Sequence, residues 1–336
     1  IIIINNPVNK GFASASNQGL MQARGKFMLF LNPDTILSED CLLNCIGFLE
    51  SNSEAGACGV HMLDGSGKFL PESKRAFPSL QTAFYKLTGL SRAFPLSKRF
   101  ANYYLGNLDE NFNHQVDVLS GAFFMIKREV LDKTGGFDEQ FFMYGEDIDL
   151  SYRIGQAGYK NYYLAENRII HFKGESTQKG SFNYVKLFYN AMSIFVKKHY
   201  KQKNRLRPLI ELFIWLRAGL TAMTNVRAPR SERSKKAMIN TMIVGSNAER
   251  RAVILLLGKQ HPVRNITELD PEIEWEYIAS LQRPDEIIFC QGQLSFKQII
   301  NNIQRMPAGM SVKIHAKKSF SIVGSSSKNE RGDVIA

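Results

Sequence analysis

The chain has few cysteines, and they do not form a metal-binding pattern. Its cysteines are four in number and lie among apolar residues: Cys41, Cys45, Cys58 and Cys290. None stands in the C-x-x-C or Cys/His spacing that is typical of a zinc site. We therefore expect reduced core thiols, as in a cytosolic protein, with no disulfide and no structural zinc.

The chain also lacks an apolar run that clearly spans a membrane. Its longest candidate, RPLIELFIWLRAGLTAMTNV at 207–226, is interrupted by Glu211 and Arg217, and it is short for a transmembrane helix. The opening stretch, IIIINNPVNKG, has neither an initiator Met nor a positively charged lead. We interpret it as a buried strand rather than a signal peptide, within a domain whose first strands are missing.

Positive charge is concentrated in one short segment. The net charge of the chain is +12, and residues 200–240 contribute 10 Lys or Arg against 2 Asp or Glu, which is +8 of that total. An apolar helix between cationic flanks fits the interface of an anionic bilayer, and a core helix followed by a solvated basic linker is the alternative. No nucleic-acid partner is expected, because the charge is confined to this segment and no recognition module accompanies it.

Alternating strand and helix patterns predict an α/β protein with two units. Short apolar runs at 1–4 and 27–31 enclose a helical segment, which predicts a crossover and a mostly parallel sheet flanked by helices. A further strand is predicted at 116–126 and a last long helix at 181–200. We divide the chain into a first domain (1–200), a basic linker (201–240) and a small, apparently incomplete Rossmann-like α/β domain (241–336).

The second unit contains one candidate phosphate-binding turn. The stretch VGSN, at 244–247, falls at a predicted strand-to-helix turn, but it lacks the full G-x-G-x-x-G fingerprint of a dinucleotide site. Nucleotide binding and a purely structural turn both stay open there.

Two side chains follow predicted strands at positions where α/β sheets bind ligands. In LFLNPDTIL, Asp34 comes just after a buried strand, at the edge where the ligand crevice of an open sheet lies. A carboxylate there suits Mg²⁺ or Mn²⁺, although a plain turn aspartate fits the pattern equally. His171, in IIHFKGEST, also ends a predicted strand, and a core or surface histidine is its alternative interpretation.

The acidic stretch FFMYGEDIDLSYR, at 141–153, predicts three carboxylates in different surroundings. On a helix that begins near Gly145, Glu146 and Asp147 border the buried stripe, whereas Asp149 points away from it. Asp149 also precedes Arg153 by four residues, the spacing of a surface ion pair. Glu146 and Asp147 are therefore expected in a cleft and Asp149 on the surface.

Four stretches, taken in order and at their separations, resemble the family 2 glycosyltransferases and in particular their bacterial rhamnosyltransferase-like branch. They are NKGFASASNQGL, GKFMLFLNPDTIL, VLSGAFFMIKREVLDKTGGFDEQFFMYGEDIDLSYR and HFKGEST. The resemblance covers about residues 1–200 and implies the GT-A nucleotide-sugar fold and an inverting transfer reaction. A fainter resemblance links the second unit to the α/β segment of some bacterial polyprenyl-phosphate sugar transferases.

The resemblance also implies roles for individual residues. The metal and diphosphate position falls on Asp34, and Asn32 stands where many relatives have the first acid of Asp-x-Asp, so metal dependence need not be strict. The base of the family falls on Asp147, with aromatic neighbours Phe141, Phe142 and Tyr144 to reduce its hydration. Glu146 would hold the acceptor or orient Asp147.

Further positions carry over as binding residues. The downstream histidine of the family, a metal or diphosphate contact, falls on His171. Substrate positions fall on Asn17, Arg24, Asn32, Ser120, Gly121 and Ala122.

The function implied is transfer of a sugar, such as rhamnose from dTDP-rhamnose, to a hydroxyl of a lipid-linked cell-surface glycan. The protein would lie in the cytoplasm, peripherally on the inner face of the plasma membrane, with an anionic membrane surface as partner. The alternative hypothesis is a catalytically impaired protein of the same fold that binds a nucleotide-sugar or a glycan.

Overall fold

The protein forms two sheets that are flanked by helices. The structure is a computed structural model, and it describes residues 1–79, 82, 85, 88–172, 182–199, 238–258, 263–272, 284–306, 310–325 and 333–335. One prediction lies outside the described residues, namely the interfacial helix of the basic linker. Among the residues that are described, no helix is long and apolar enough to cross a membrane.

The first sheet belongs to the N-terminal unit. Its strands are β1 (Phe27–Leu31), β2 (Thr35–Leu37), β3 (Ala55–Leu63), β4 (His114–Val116), β5 (Phe123–Lys127) and β6 (Lys160–His171). The helices around it are α1 (Phe12–Gln22), α2 (Cys41–Ser51), α3 (Leu90–Ala93), α4 (Arg128–Thr134), α5 (Glu146–Gln156) and α6 (Phe182–His199). The strand order is β1-β5-β3-β6-β2, and β4 also pairs with β6.

The sheet direction differs from the prediction. In the described part of the chain, β3 and β6 pair in parallel, whereas β1–β5, β3–β5, β2–β6 and β4–β6 are antiparallel. The prediction of a mostly parallel sheet was therefore wrong for this unit. An apolar run indicates that a strand is buried, but it carries no information about the direction of its neighbours.

Two predicted strands are also corrected. Ile1–Ile4 are exposed and unpaired rather than a buried strand. The strand predicted at 116–126 divides into β4 and β5, because the chain leaves the sheet between Asp117 and Ala122. The apolar pattern continues across this loop, so periodicity alone does not reveal the break.

The second sheet belongs to the C-terminal unit, where strands and helices alternate. Its elements are β7 (Met238–Val244), α7 (Asn247–Leu257), β8 (Val263–Leu269), β9 (Glu286–Cys290), α8 (Phe296–Arg305), β10 (Ser311–His315), β11 (Ile322–Ser325) and β12 (Asp333–Ile335). The order is β12-β11-β10-β9-β7-β8, with parallel pairing from β10 to β8 and antiparallel pairing of β11 and β12.

The two units share one hydrophobic cluster. Leu63, Ile170 and Phe172 of the first unit pack with buried side chains of the second, among them Ile303 on α8. Both carboxylate oxygens of Glu39, just after β2, accept backbone N–H groups at the start of α8, from Phe296 at 2.6 Å and from Lys297 at 3.1 Å. Helix α8 therefore lies against the strands β2 and β6, which carry the candidate metal ligands.

Candidate functional site

Asn32, Asp34 and His171 lie together at one end of the first sheet. β1 ends at Leu31, and the following turn leads into β2, where Thr35 pairs with His171 on β6. Nε2 of His171 lies 3.3 Å from Oδ1 of Asp34 and 3.4 Å from Nδ2 of Asn32. The structure thus brings His171 beside Asp34 and beside Asn32, which precedes it by 139 residues.

This group fits a divalent metal that is bound partly by its substrate. Adjacent ligands of an octahedral ion with bonds of about 2.1 Å are roughly 3 Å apart, which is close to the spacing of Asp34 Oδ1 and His171 Nε2. Nδ1 of His171 is buried and has no hydrogen-bond partner among the described residues. No group of three or more His, Cys, Asp or Glu that could hold a metal occurs in the described part of the chain, so diphosphate oxygens and water would complete the coordination.

The loop at residues 120–122 connects this group to the acidic helix. The carbonyl of Ala122 accepts the backbone N–H of Asn32 at 3.0 Å. One residue earlier, the N–H of Gly121 donates to Oδ2 of Asp147 at 3.1 Å. The hydroxyl of Ser120 accepts the N–H of Ala122 at 3.3 Å. The loop that interrupts the predicted strand therefore connects the group around Asn32 with the acidic residue Asp147.

Asp147 is buried and surrounded by hydrogen-bond donors. Its Oδ2 accepts from Nη2 of Arg75 at 2.5 Å as well as from Gly121, and its Oδ1 accepts the N–H of Ile148 at 2.8 Å. Arg75 is also buried, and it donates to the carbonyl of Leu119 at 2.7 Å. Sequence analysis did not identify Arg75, because it precedes Asp147 by 72 residues and belongs to none of the recognised stretches.

Glu146 lies beside Asp147 in quite different surroundings. Burial, together with the negative charge of Asp147, raises the pKa of Glu146 to about 8. Its Oε2 is buried and has no hydrogen-bond partner in the described part of the protein. Oε1 of Glu146 lies close to Gly121: a Cβ atom built on this glycine would be 3.8 Å from that oxygen. Glu146 thus holds a proton near neutral pH.

The turn before α5 sets the position of both acids. Tyr144 and Gly145 have positive φ angles of 70° and 86°, and Gly145 caps the helix. The carbonyl of Phe142 accepts the N–H of Phe12 at 3.0 Å, which ties this turn to the start of α1. Phe141 is fully buried, but Phe142 is 43% exposed. The prediction that Phe142 shields Asp147 from water is therefore not supported.

Asp149 corrects another prediction. It forms the expected ion pair with Nε of Arg153 at 2.7 Å, but the side chain is 0% exposed rather than on the surface. Nζ of Lys198 and Nε2 of His199, at the end of α6, lie 2.8 and 2.7 Å from its Oδ1. Burial alone would raise the pKa of Asp149, but the hydrogen bond from Lys198 and the charge of Arg153 outweigh it, and the pKa is lowered. Asp149 thus fastens α6 to α5.

Asn17 and Arg24 lie apart from the two groups described above. Asn17 bonds the backbone of Phe137, donating from Nδ2 to its carbonyl at 2.8 Å and accepting its N–H at 2.9 Å. This is a structural use of its amide. Arg24 is exposed before the start of β1, whereas Asn32 follows the other end of that strand.

The VGSN turn of the second unit is filled by the side chain of its own helix. Oε2 of Glu249 accepts the N–H of Ser246 at 3.0 Å in a capping box. Its carboxylate also lies against Gly292. An acidic group thus stands where a helix N-terminus would otherwise hold a phosphate.

Comparison with known proteins identifies the first unit. Residues 1–135 match the model of the family described as "Glycosyl transferase family 2". This part of the chain, less than half of its length, is similar to that family. Together with the α/β sheet described above, the match confirms the predicted family and the predicted GT-A fold class.

Two bacterial relatives of the chain are named rhamnosyltransferases. The chain is 29% identical over 183 residues to "N-acetylglucosaminyl-diphospho-decaprenol L-rhamnosyltransferase" of Mycobacterium tuberculosis, covering 54% of this chain and 59% of that protein. It is 29% identical over 148 residues to "Rhamnosyltransferase WbbL" of Escherichia coli, covering 44% and 52%. The chain therefore spans between half and three fifths of the length of these relatives.

Proposed function

We propose that the protein is an inverting glycosyltransferase that moves a sugar from a nucleotide-sugar to a hydroxyl group. The observation that carries this proposal is the loop at residues 120–122, whose backbone bonds both Asn32 and Asp147. A diphosphate-binding group and a buried acidic pair thereby lie on two sides of one short loop, as transfer from a sugar diphosphate requires.

Donor binding is assigned to the first of these groups. Asp34 and His171 would hold Mg²⁺ or Mn²⁺, and Asn32 would lie beside the diphosphate. When bound, the metal supplies charge that stabilises the departing diphosphate. Because an amide at Asn32 replaces a carboxylate, the chain contributes fewer negative charges, and weak metal affinity is expected.

Proton removal from the acceptor is assigned to Asp147. Among the described residues, Oδ1 of Asp147 accepts only the N–H of Ile148, while Arg75 and Gly121 both donate to Oδ2. Oδ1 is thus the atom with a lone pair left for the acceptor hydroxyl. Arg75 acts as a positioning residue that fixes the carboxylate. Glu146, protonated near neutral pH, would donate a hydrogen bond to the acceptor sugar.

The substrates are proposed from the relatives. Two of them are named rhamnosyltransferases, and the name of one specifies a decaprenol-linked acceptor. We therefore assign a deoxyhexose donor such as dTDP-rhamnose and a lipid-linked saccharide acceptor. The site of action would be the inner face of the plasma membrane.

The test is the turnover of a nucleotide-sugar by the purified protein and its Asp147→Asn variant. Loss of a general base is expected to lower turnover by about 10²–10⁴-fold, while binding of the donor, measured by calorimetry, persists. Asp132→Asn removes an exposed carboxylate on α4 and is the matched control. Unchanged turnover in Asp147→Asn would refute the assignment of the base.

A protein that binds nucleotide-sugars or glycans without catalysis is the second candidate. The ion pair of Arg75 with Asp147 favours it, because the guanidinium already occupies the carboxylate, and so does Asn32. Calorimetry with a nucleotide-sugar and Mn²⁺, followed by product analysis, separates the two functions. Binding of donor without release of nucleoside diphosphate in the presence of glycan acceptors would favour the second.

A further inference from the structure

The segment between Arg75 and Asp109 has an unusual charge distribution. Residues 73–108 contain six Lys or Arg and no Asp or Glu, whereas the N-terminal 199 residues as a whole are nearly balanced at 21 against 19. At least three of the six have internal partners: Lys74 donates to the carbonyls of Leu105 and Leu108, Arg75 pairs with Asp147, and Nε of Arg99 donates to the hydroxyl of Tyr85 at 3.2 Å. The other cations of the segment that the structure describes are Arg92 and Lys98, and both are exposed.

Exposed apolar side chains accompany these charges on α3 and the turn that follows it. We call Arg92, Phe94, Leu96, Lys98 and Arg99 the basic apolar patch. Phe94 is 52% and Leu96 78% exposed, and the three cations of the patch are exposed too. Neither Arg92 nor Lys98 makes a salt bridge with any described residue. Large apolar groups in water beside unneutralised cations indicate an interaction surface.

The basic apolar patch is attached directly to the proposed acceptor side of the site. The N–H of Ala76 donates to the carbonyl of Tyr103 at 3.0 Å, so the two ends of the segment meet beside Arg75. Arg75 then contacts Asp147. A cavity of about 880 Å³ opens between the patch and residues 103–111, with Arg92, Leu96 and Tyr104 among its lining residues. The segment that carries the patch therefore begins and ends beside Arg75, the partner of Asp147.

We propose that the basic apolar patch docks the protein on an anionic lipid bilayer. Cations attract the lipid phosphates, and side chains such as Phe94 and Leu96 insert at the level of the head groups. Charge complementarity selects this partner, since residues 73–108 contain Lys and Arg but no Asp or Glu, and exposed apolar groups lie beside these cations. The inference rests on the proposed function in one respect, because a lipid-linked acceptor would be presented to Asp147 in the same bilayer.

Flotation of the whole chain with phosphatidylcholine vesicles, with and without phosphatidylglycerol, tests the proposal. The double variant Arg92→Gln/Lys98→Gln is expected to bind anionic vesicles about 30-fold more weakly, since each cation near such a surface contributes about 1 kcal/mol. Phe94→Ser/Leu96→Ser is expected to weaken binding at least about tenfold. All four residues are exposed, and circular dichroism checks that the variants fold.

Matched controls separate this surface from positive charge elsewhere. Arg251→Gln/Arg305→Gln removes the same charge from exposed positions on α7 and α8, and Leu255→Ser removes an exposed apolar group. Losses in the patch variants no larger than in these controls would overturn the proposal. Binding of duplex DNA is measured at the same ionic strength. If the protein binds DNA as tightly as anionic vesicles, and the patch variants lose that binding, the surface would be assigned to nucleic acid instead. No donor or acceptor is present, so the result is independent of whether the protein transfers sugar.

Discussion

Glu146 is the residue whose protonation matters for both stability and activity. The pKa of this carboxyl is raised from 4.5 to about 8 by burial and by the charge of Asp147. The folded protein therefore keeps a proton that the unfolded chain releases above pH 4.5 or so. Below that pH the carboxyl is protonated in both states, and burying it carries no cost of proton binding. As the pH rises toward 8, the folded protein keeps a proton that the unfolded chain has released, and the free energy of unfolding falls.

We predict that the free energy of unfolding falls between about pH 5 and pH 8 by an amount on the order of 3–5 kcal/mol because of Glu146. Glu146→Gln keeps a neutral side chain of the same shape and should flatten this dependence. Urea unfolding at a series of pH values measures it, and Glu166→Gln, an exposed position on β6, is the control. A slope in Glu146→Gln as steep as in the unaltered protein would contradict the prediction.

The element on which the site depends most is the turn before α5, because α1 holds it through the backbone. Gly11 has a φ of 85°, and a Cβ atom there would lie 2.3 Å from the carbonyl oxygen of Phe142. This is the same carbonyl that accepts the N–H of Phe12. Only glycine permits so close an approach.

Gly11→Ala is therefore expected to lower the free energy of unfolding by about 1–3 kcal/mol and to reduce turnover by displacing α5. Gly19→Ala, in the middle of α1, makes the same chemical change where a Cβ atom meets nothing within 4 Å. It should instead stabilise the helix, by about 1 kcal/mol. Thermal unfolding of the two variants compares them, and equal effects of the same sign would be inconsistent with this view of the turn.

The local sequence pattern predicted the positions of helices and strands better than it predicted the surroundings of individual side chains. β1 and the last helix lie within a few residues of their predicted bounds, 27–31 and 181–200. Arg75 was missed and Asp149 misplaced because their partners lie 72 and about 50 residues away. A helical wheel places Asp149 opposite the apolar stripe, and only the return of α6 buries it. Strand direction depends on non-local pairing in the same way.

At the scale of the whole molecule, the second unit supports β2, which follows Asp34 directly, and β6, which ends at His171. Lys297 on α8 bonds Asp40 at 2.5 Å, and this hydrogen bond lowers the pKa of Asp40. Glu39 accepts from the backbone at the same helix end. Polar contacts thus surround the apolar cluster that the units share.

Lys297→Glu places like charges beside Glu39 and Asp40 and is expected to weaken the contact by about 1–2 kcal/mol. Calorimetry should show the two units unfolding at temperatures that move apart, and Mn²⁺ should bind more weakly to the site. Lys317→Glu, exposed on the same unit, controls for the change of charge. Asp40→Lys combined with Lys297→Glu restores opposite charges and should recover part of the loss, whereas identical behaviour of the single variant and its control would argue against the contact.

The hydrophobic cluster that spans both units has a practical consequence for making shorter versions of the protein. Leu63, Ile170 and Phe172 are buried by side chains that follow residue 240 in the chain. A fragment ended near residue 200 would expose these groups to water as a continuous apolar surface next to the candidate metal ligands. Such a fragment would aggregate readily, so expression trials should keep the second unit in place.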